Sequence, residues 1–218
     1  RCALAHRTSI TRHCCAEDGL TQYDRVVSEE RDHQIRTEVF DYLHRRTALD
    51  PEGLVSWSDL TDFRLSDGTP LTLIGASGIW KPRELRFPIS VATAPPKPGH
   101  PAPYEDAILP DGTVHYRYRD DGPDHRDNQG LRALLQHRLP LAYFLGVEKG
   151  RYVPHFPAYV VGDDPAGRVV TLDIAGAAIT GLPLAVGEEA QEALRAYRVV
   201  AVRQRVHQVW FRSRVLHA

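Results

Sequence analysis

The sequence predicts an α+β fold: a mostly antiparallel curved sheet or partly open β-barrel with flanking helices and a C-terminal linker helix. Three observations carry that expectation. Strand-like segments recur near residues 71, 87, 114, 141, 157 and 170, apolar residues return at helical spacing around 35–43 and 131–135, and after Thr113 residues 114–119 alternate strictly between apolar or aromatic and basic types.

Residues 1–27 mix polar and apolar types without a period and read as a loose arm. Ser28 is a candidate cap for a helix whose first turn, Glu29 to Asp32, is acidic. Ile35, Val39, Tyr42 and Leu43 then mark one face as far as Leu49, and Asp50-Pro51 stops the helix. Leu54 to Phe63 reads as a short helix or turn, Leu71 to Ile74 and Phe87 to Ala92 as strands. Five prolines (95, 96, 98, 101 and 103) make residues 94–103 an extended connection.

Asp111-Gly112 turns the chain into Thr113 to Arg119. In a strand this alternation puts Val114, Tyr116 and Tyr118 on one face and His115, Arg117 and Arg119 on the other. A polar loop, Asp124-His125-Arg126-Asp127-Asn128, precedes a helix from Asn128 to Arg138. Pro140 to Val147 is apolar throughout and reads as a buried strand. Tyr152 to Val161 reads as a strand broken by Pro154 and Pro157, hence bent or at an edge, and Val169 to Ile174 as the last strand. From Gly187 the chain turns helical, with Glu188, Glu189 and Glu192 early and arginines late, in accord with the helix dipole. The expected organisation is thus an arm over 1–27, one domain over 28–186 and a linker helix over 187–218.

With 218 residues, 42% hydrophobic and 25% charged, the chain has ordinary core-forming capacity, which excludes disorder throughout. No apolar run approaches the roughly 20 residues that cross a bilayer, so a soluble, cytoplasmic protein with no membrane partner is expected. Cys2, Cys14 and Cys15 fall in the first fifteen residues, and three is an odd count, so a disulfide framework is not expected. No Met is present, and a trimmed chain is the expectation that follows.

The net charge of -1 hides an uneven distribution. From Arg195 to Ala218 there are six arginines, two histidines and no carboxylate. Arg117, Arg119, His125 and Arg126 form a second cationic group, interleaved with Asp120, Asp121, Asp124 and Asp127. A complete active site is not legible. Adjacent Cys14 and Cys15 lack the spacing that lets two thiolates reach one zinc ion. Glu105-Asp106 and Asp163-Asp164 sit beside turn signals and read as solvated loops more readily than as magnesium ligands, and no phosphate-binding glycine loop or hydrolase motif is present. Trp80, Tyr104, Tyr116, Tyr118, Phe156 and Tyr159 flank the polar clusters, either as core or as stacking surface.

Several motifs together resemble the N-terminal region of actinobacterial HNH restriction endonucleases with a sulfur-binding or SRA-like reader domain for modified DNA. They are Gly78-Ile79-Trp80-Lys81-Pro82, Pro88-Ile89-Ser90 with Thr93-Ala94-Pro95-Pro96, and Tyr104-Glu105-Asp106. The series continues with Tyr116-Arg117-Tyr118-Arg119, Pro123 to Asn128, Gly150-Arg151-Tyr152, Val161 to Pro165, and Gln204 to Gln208 with Phe211-Arg212. The resemblance implies an SRA- or PUA-like barrel that reads modified double-stranded DNA and hands restriction to a nuclease domain. That domain's Cys-x-x-Cys and His-Asn-His motifs are not in these residues, so no catalytic residue and no cofactor is expected here, zinc or another divalent metal belonging to the nuclease part.

The modification implied first is a phosphorothioate linkage, with 5-methylcytosine or 5-hydroxymethylcytosine read by base flipping as the alternative. Expected DNA contacts are Lys81, His115, Arg117, Arg119, His125, Arg126 and Asn128. The modification pocket is expected among Phe87, Pro88, Tyr104, Phe156, Pro157 and Ala158, with Phe87-Pro88 and Phe156-Pro157-Ala158 as rival walls. Other readings are a self-contained metal-dependent nuclease acting through Asp163 and Asp164, and a protein-interaction module or homodimer built on the 195–218 helix.

Overall fold

The computed structural model describes residues 22–95, 109, 111–119 and 122–174, with side chains from Glu29 onward. The cysteine cluster, Tyr104, Glu105-Asp106, most of the proline-rich connection and the expected helix after Gly187 with its basic end lie outside the described residues.

The fold is α+β, a curled mixed sheet that forms a half-barrel with a few helices. Helix α1 spans Gln22–Leu49 and is followed by β1 (Val55–Ser56), α2 (Trp57–Thr61), β2 (Ile79–Trp80) and β3 (Ser90–Thr93). Then come β4 (Thr113–Arg117), α3 (Arg126–His137), β5 (Leu141–Glu148), β6 (Arg151–Asp164) and β7 (Val169–Asp173). The sheet runs β2-β3-β5-β6-β7-β4, with β1 also paired to β6. Every pairing is antiparallel except β3 with β5.

Long strand β6 makes the curl. Its first half, Arg151 to Ala158, pairs with β5, and its second half, Tyr159 to Asp164, pairs with β7. The two prolines do not interrupt this strand and it is not at an edge; of the two expectations, the bend is the one that fits, since the β5 register shifts between the pairs at His155 and Ala158. Both sit before Tyr159, where pairing with β7 begins, and the β5 register shifts at Pro157, so neither missing N–H interrupts the β7 ladder. At the open seam the Tyr116 hydroxyl donates to the Ala92 carbonyl at 3.4 Å. Gly78, at φ +81, lies so close that an added Cβ would sit 2.9 Å from that hydroxyl oxygen. Only glycine suits both its backbone and that space.

Two cores lie on the two faces of the sheet. Strand β5 is apolar throughout because it serves both. Leu141, Tyr143, Leu145 and Val147 enter the inner core, with Leu131 and Leu134 of α3 and Val114, Val160 and Leu172 from the strands. Ala142 and Phe144 enter the outer core, where α1 supplies Ile35, Val39 and Leu43.

Several elements differ from the sequence-based expectation. Helix α1 begins at Gln22, ahead of Ser28. The 54–63 segment contributes β1 before α2, because Ser56 caps α2 in a capping box with Asp59. Leu71 to Ile74 joins no ladder. Its amides donate instead to α2 and its C-terminal end, Leu71 to the Phe63 carbonyl at 2.9 Å and Leu73 to that of Leu60 at 2.7 Å. Its carbonyls at Thr72 and Leu73 accept from the Trp80 indole and the Ser90 hydroxyl, so the run is buried without being a strand. Strand β3 starts at Ser90 because the carbonyls of Phe87 and Pro88 are committed elsewhere.

Their partner is Arg36, 1% exposed in the middle of α1. Its guanidinium pairs with Asp32 one turn earlier at 2.5 Å and donates to the carbonyls of Pro140 at 2.6 Å, Pro88 at 3.0 Å and Phe87 at 3.3 Å. The second carboxylate oxygen of Asp32 accepts from the Arg86 amide at 3.2 Å. A buried guanidinium is tolerated because its charge is paired and its donors are used. Arg36→Ala strands the Asp32 carboxylate and three carbonyls, and is expected to cost about 3–5 kcal/mol. Equilibrium urea denaturation measures this, and the double change Asp32→Leu with Arg36→Met is expected to recover most of the loss.

Candidate nucleic-acid interface

Asp111 accepts from the Thr113 amide at 2.9 Å and from its hydroxyl at 2.7 Å, and with Gly112 at φ +83 it turns the chain into β4. Pairing with β7, His115 opposite Thr171 and Arg117 opposite Val169, then fixes the faces. Val114 and Tyr118 are buried and Tyr116 packs against the inner core, while His115, Arg117 and Arg119 are exposed. The alternation read from the sequence is present side chain by side chain.

Beyond the strand, Asn128 closes the loop onto its own start. Fully buried, it accepts from the Arg119 amide at 2.9 Å and donates to the carbonyls of Arg119 at 3.2 Å and Gly122 at 2.6 Å. Asn128, expected at a DNA contact, is therefore a bracket that shapes the surface and offers it no free group. Helix α3 starts at Arg126, two positions before the expected Asn128, because His125 caps it, the imidazole Nδ1 accepting from the Asp127 amide at 3.2 Å.

Three cationic candidates converge on one carboxylate. Asp127 lies 2.8 Å from an Arg119 terminal nitrogen, 3.7 Å from His125 Nδ1 and 3.6 Å from Arg126 Nε. Arg126 nevertheless remains 88% exposed, at the helix end where backbone amides favour anions. Arg117, by contrast, has no ion pair or hydrogen bond of its side chain among the described residues. The candidate surface therefore carries a guanidinium at 117 with no partner among the described residues, an exposed imidazole at 115, and a partly neutralised group at the α3 N-terminus.

A triad beneath it joins three elements. Asp163 of β6 accepts from the Tyr118 hydroxyl and from Arg132 Nε of α3 at 2.9 Å, while Arg132 also donates to the Tyr118 oxygen at 3.1 Å. Burial, followed by the bond to Asp163, pushes the Tyr118 phenol above its ordinary value. Asp164 is likewise committed, accepting from the Gly167 amide at 2.9 Å to close the β6–β7 turn. Of the pair considered as magnesium ligands, Asp163 thus joins β6 to α3 and to the residue after β4 while Asp164 closes a turn, and no group of three metal-ligating side chains occurs among the described residues. Arg132 was not singled out in the sequence. Its place in the polar stripe of a helix carries no signal until Asp163 is known to face it.

The remaining candidates disperse. Lys81 follows β2, exposed, its ammonium donating to the Leu85 carbonyl at 2.9 Å. Phe87 stacks on His137 with centroids 4.8 Å apart and carries Arg86 over its ring at 5.2 Å, and Pro88 is buried against Gly130. Those two residues thus run alongside α3. Phe156 stacks on Phe40 and meets His44 edge-on, on the α1 side, while Pro157 is exposed and Ala158 is buried in the inner core. Of the two rival pocket walls, Phe87-Pro88 is the one beside the helix that bears Arg126. Even so, Arg126 and His137 stand at opposite ends of α3, separated by about 16 Å of helix rise, so the cations and the aromatic ledge do not enclose one small group.

A cleft of about 160 Å³ opens at the C-terminal end of α1, lined by Arg46, Asp50, Ser56, Asp59 and Arg151 among others. Its arginines are paired internally, Arg46 with Asp59 and Arg151 with Asp50. No family model, curated protein or solved structure matches the chain, and no described helix is long and apolar enough to cross a membrane.

Two substitutions probe the scaffold of this surface. Asn128→Ala leaves the Arg119 amide and two carbonyls without their partner and is expected to cost about 1–3 kcal/mol in a denaturation midpoint. Tyr118→Phe is expected to cost about 1 kcal/mol at neutral pH. A raised phenol value means that the folded state favours the protonated form. The difference between wild type and Tyr118→Phe is therefore constant below pH about 10 and shrinks as pH rises through the folded value, which a pH series of the same measurement reads.

Proposed function

We propose that this domain binds duplex DNA along the exposed face of β4 and the N-terminal end of α3, and that it serves as a reader of chemically modified DNA. In this reading Arg117 and His115 meet the phosphate backbone. Arg119 and Arg126 add to the field from the loop and helix end, and His125 and Asn128 hold that end in place. The observation that carries the reading is Arg117, an exposed guanidinium with no partner among the described residues, in a segment running from β4 into the following loop whose exposed side chains at 115, 117 and 119 are all basic. A guanidinium left unpaired at a surface is available for the bidentate contact that phosphate favours. Phosphate contacts set affinity, whereas discrimination comes from groups that sense the modification.

For the modification, a phosphorothioate linkage is the first candidate, and the half-buried edge of Phe87 beside α3, backed by the buried Pro88, is the apolar surface offered for it. Replacing oxygen by sulfur keeps the charge but makes that side of the phosphate less hydrated, so CH groups favour it. Because the ledge lies one helix length from Arg126, it would contact a different nucleotide from the one held by the cations. A flipped methylated cytosine would need an enclosed stacking site, and Phe87 and Phe156 are instead packed against neighbouring side chains.

Fluorescence anisotropy with matched plain, phosphorothioate and cytosine-methylated duplexes tests the proposal. Salt-dependent binding with preference for the phosphorothioate duplex is expected, and Arg117→Ala is expected to weaken binding to all three and to lower the slope of log K against log salt by about 1. Equal affinity for the three duplexes would remove the reader assignment, and absence of salt-dependent binding would remove DNA binding altogether.

A further inference from the structure

The outer side of the sheet is used in two ways. Over β5 and the first half of β6 it carries the core shared with α1, whereas β4, β7 and the second half of β6 contribute no residue to that core. Strand pairing fixes what stands on the outer face there. His115 opposes Thr171, which on its other side opposes Gly162, and Arg117 opposes Val169, which opposes Asp164. Opposed residues share a face, and this one points away from the inner core, because the intervening Val114, Tyr116, Val170 and Leu172 point into it. The hydroxyl of Thr171 thus stands directly across from the exposed imidazole and diagonal to the exposed guanidinium, with Cβ separations of about 5 and 7–8 Å.

Two further observations single out Thr171. Its side chain is only half-buried, and its hydroxyl makes no hydrogen bond among the described residues. Beside it, an added Cβ at Gly162 would come within 3.2 Å of that hydroxyl oxygen and 3.3 Å of the Thr171 Cβ. Gly162 is not among the glycines with positive φ, so its backbone does not call for glycine; the space next to the hydroxyl does. The register of β6 shifts between Val160 and Gly162, a bulge that places this gap opposite Thr171. Two carboxylates mark the limits of the face. Asp164 lies two strands from Arg117, about 10 Å away, and accepts from the Gly167 amide. Asp111, which senses the His115 ring, is occupied by the amide and hydroxyl of Thr113. An anion is therefore received along β4 and β7, short of Asp164.

We infer that Thr171 is a third phosphate contact of this face: its hydroxyl, the His115 imidazole and the Arg117 guanidinium form one seat for a backbone phosphate, and Gly162 keeps the seat open. The inference rests on the DNA-binding reading and extends it to an uncharged residue of another strand. Threonine hydroxyls are ordinary donors to phosphate oxygens, and such contacts set register on the duplex without reading its sequence.

Anisotropy with a plain duplex over a salt series, alongside thermal unfolding, compares wild type with Thr171→Val, Thr171→Ser, Gly162→Ala, Arg117→Ala and the double variant Arg117→Ala/Thr171→Val. Thr171→Val keeps the branched shape that suits a strand. It is expected to unfold with wild type and to bind about tenfold more weakly, with the salt slope unchanged because no charge is lost. Arg117→Ala, by contrast, lowers that slope by about 1. Thr171→Ser is expected to bind like wild type, and Gly162→Ala to weaken binding although it removes no donor. Because one phosphate is shared, the double variant is expected to lose less than the two single losses combined. Additive losses overturn the shared seat, and wild-type binding by Gly162→Ala overturns the role of the gap. Wild-type binding by Thr171→Val with weakened binding by Arg117→Ala overturns the seat and leaves the DNA reading standing. Absence of salt-dependent binding by the wild type overturns both.

Discussion

The buried ion pair of Arg36 with Asp32 is the constraint from which the rest of the architecture is hung. A single guanidinium ties the long helix to three carbonyls, two in the approach to β3 and one at the entrance to β5. It thereby sets where these two parallel neighbours begin and how α1 lies across them. Burying such a pair is seldom a net source of stability, since desolvation offsets much of the attraction. What it supplies is position. Apolar contacts between α1 and the outer face would tolerate sliding, whereas three hydrogen bonds to named carbonyls do not. Pro88, held in this way, is also the residue against which Gly130 of α3 packs, so the same clamp reaches the helix that carries the cationic end.

Much of this was legible in the sequence, for a physical reason. Continuous apolar character in β5 reports burial on both faces, and alternation in β4 reports burial on one; both are one-dimensional records of a local environment. The glycine and aspartate turn before β4 is equally local. What could not be read depends on pairs far apart in the chain. Leu71 to Ile74 has the composition of a strand but satisfies its amides on α2, a partner no local pattern names. Pro154 and Pro157 argue against an interior strand only if both edges must pair along their whole length, and β6 avoids that by changing partners midway. Arg36 looks like one more polar position on an amphipathic helix, because its acceptors are carbonyls, which leave no trace in residue type.

The candidate interface divides in the same way. The exposed basic side chains of β4 were visible from periodicity. The fate of the loop was not: a short polar run rich in donors reads as a docking surface, but the fold uses Asn128 to close the loop and His125 to cap the helix. Asp127 offsets part of the charge that remains. Residue type identified groups able to bind an anion, and only the three-dimensional pairing separates those spent on the fold from those left over.

The seam between β3 and β4 has a consequence for the cationic strand. On one side β4 is held by a backbone ladder to β7, whereas across the seam the Tyr116 phenol reaches the Ala92 carbonyl over Gly78. Burial keeps that phenol protonated well beyond neutrality, so it remains a donor. The gap between the two edges is therefore gauged by the length of a tyrosine side chain instead of by the spacing of peptide groups.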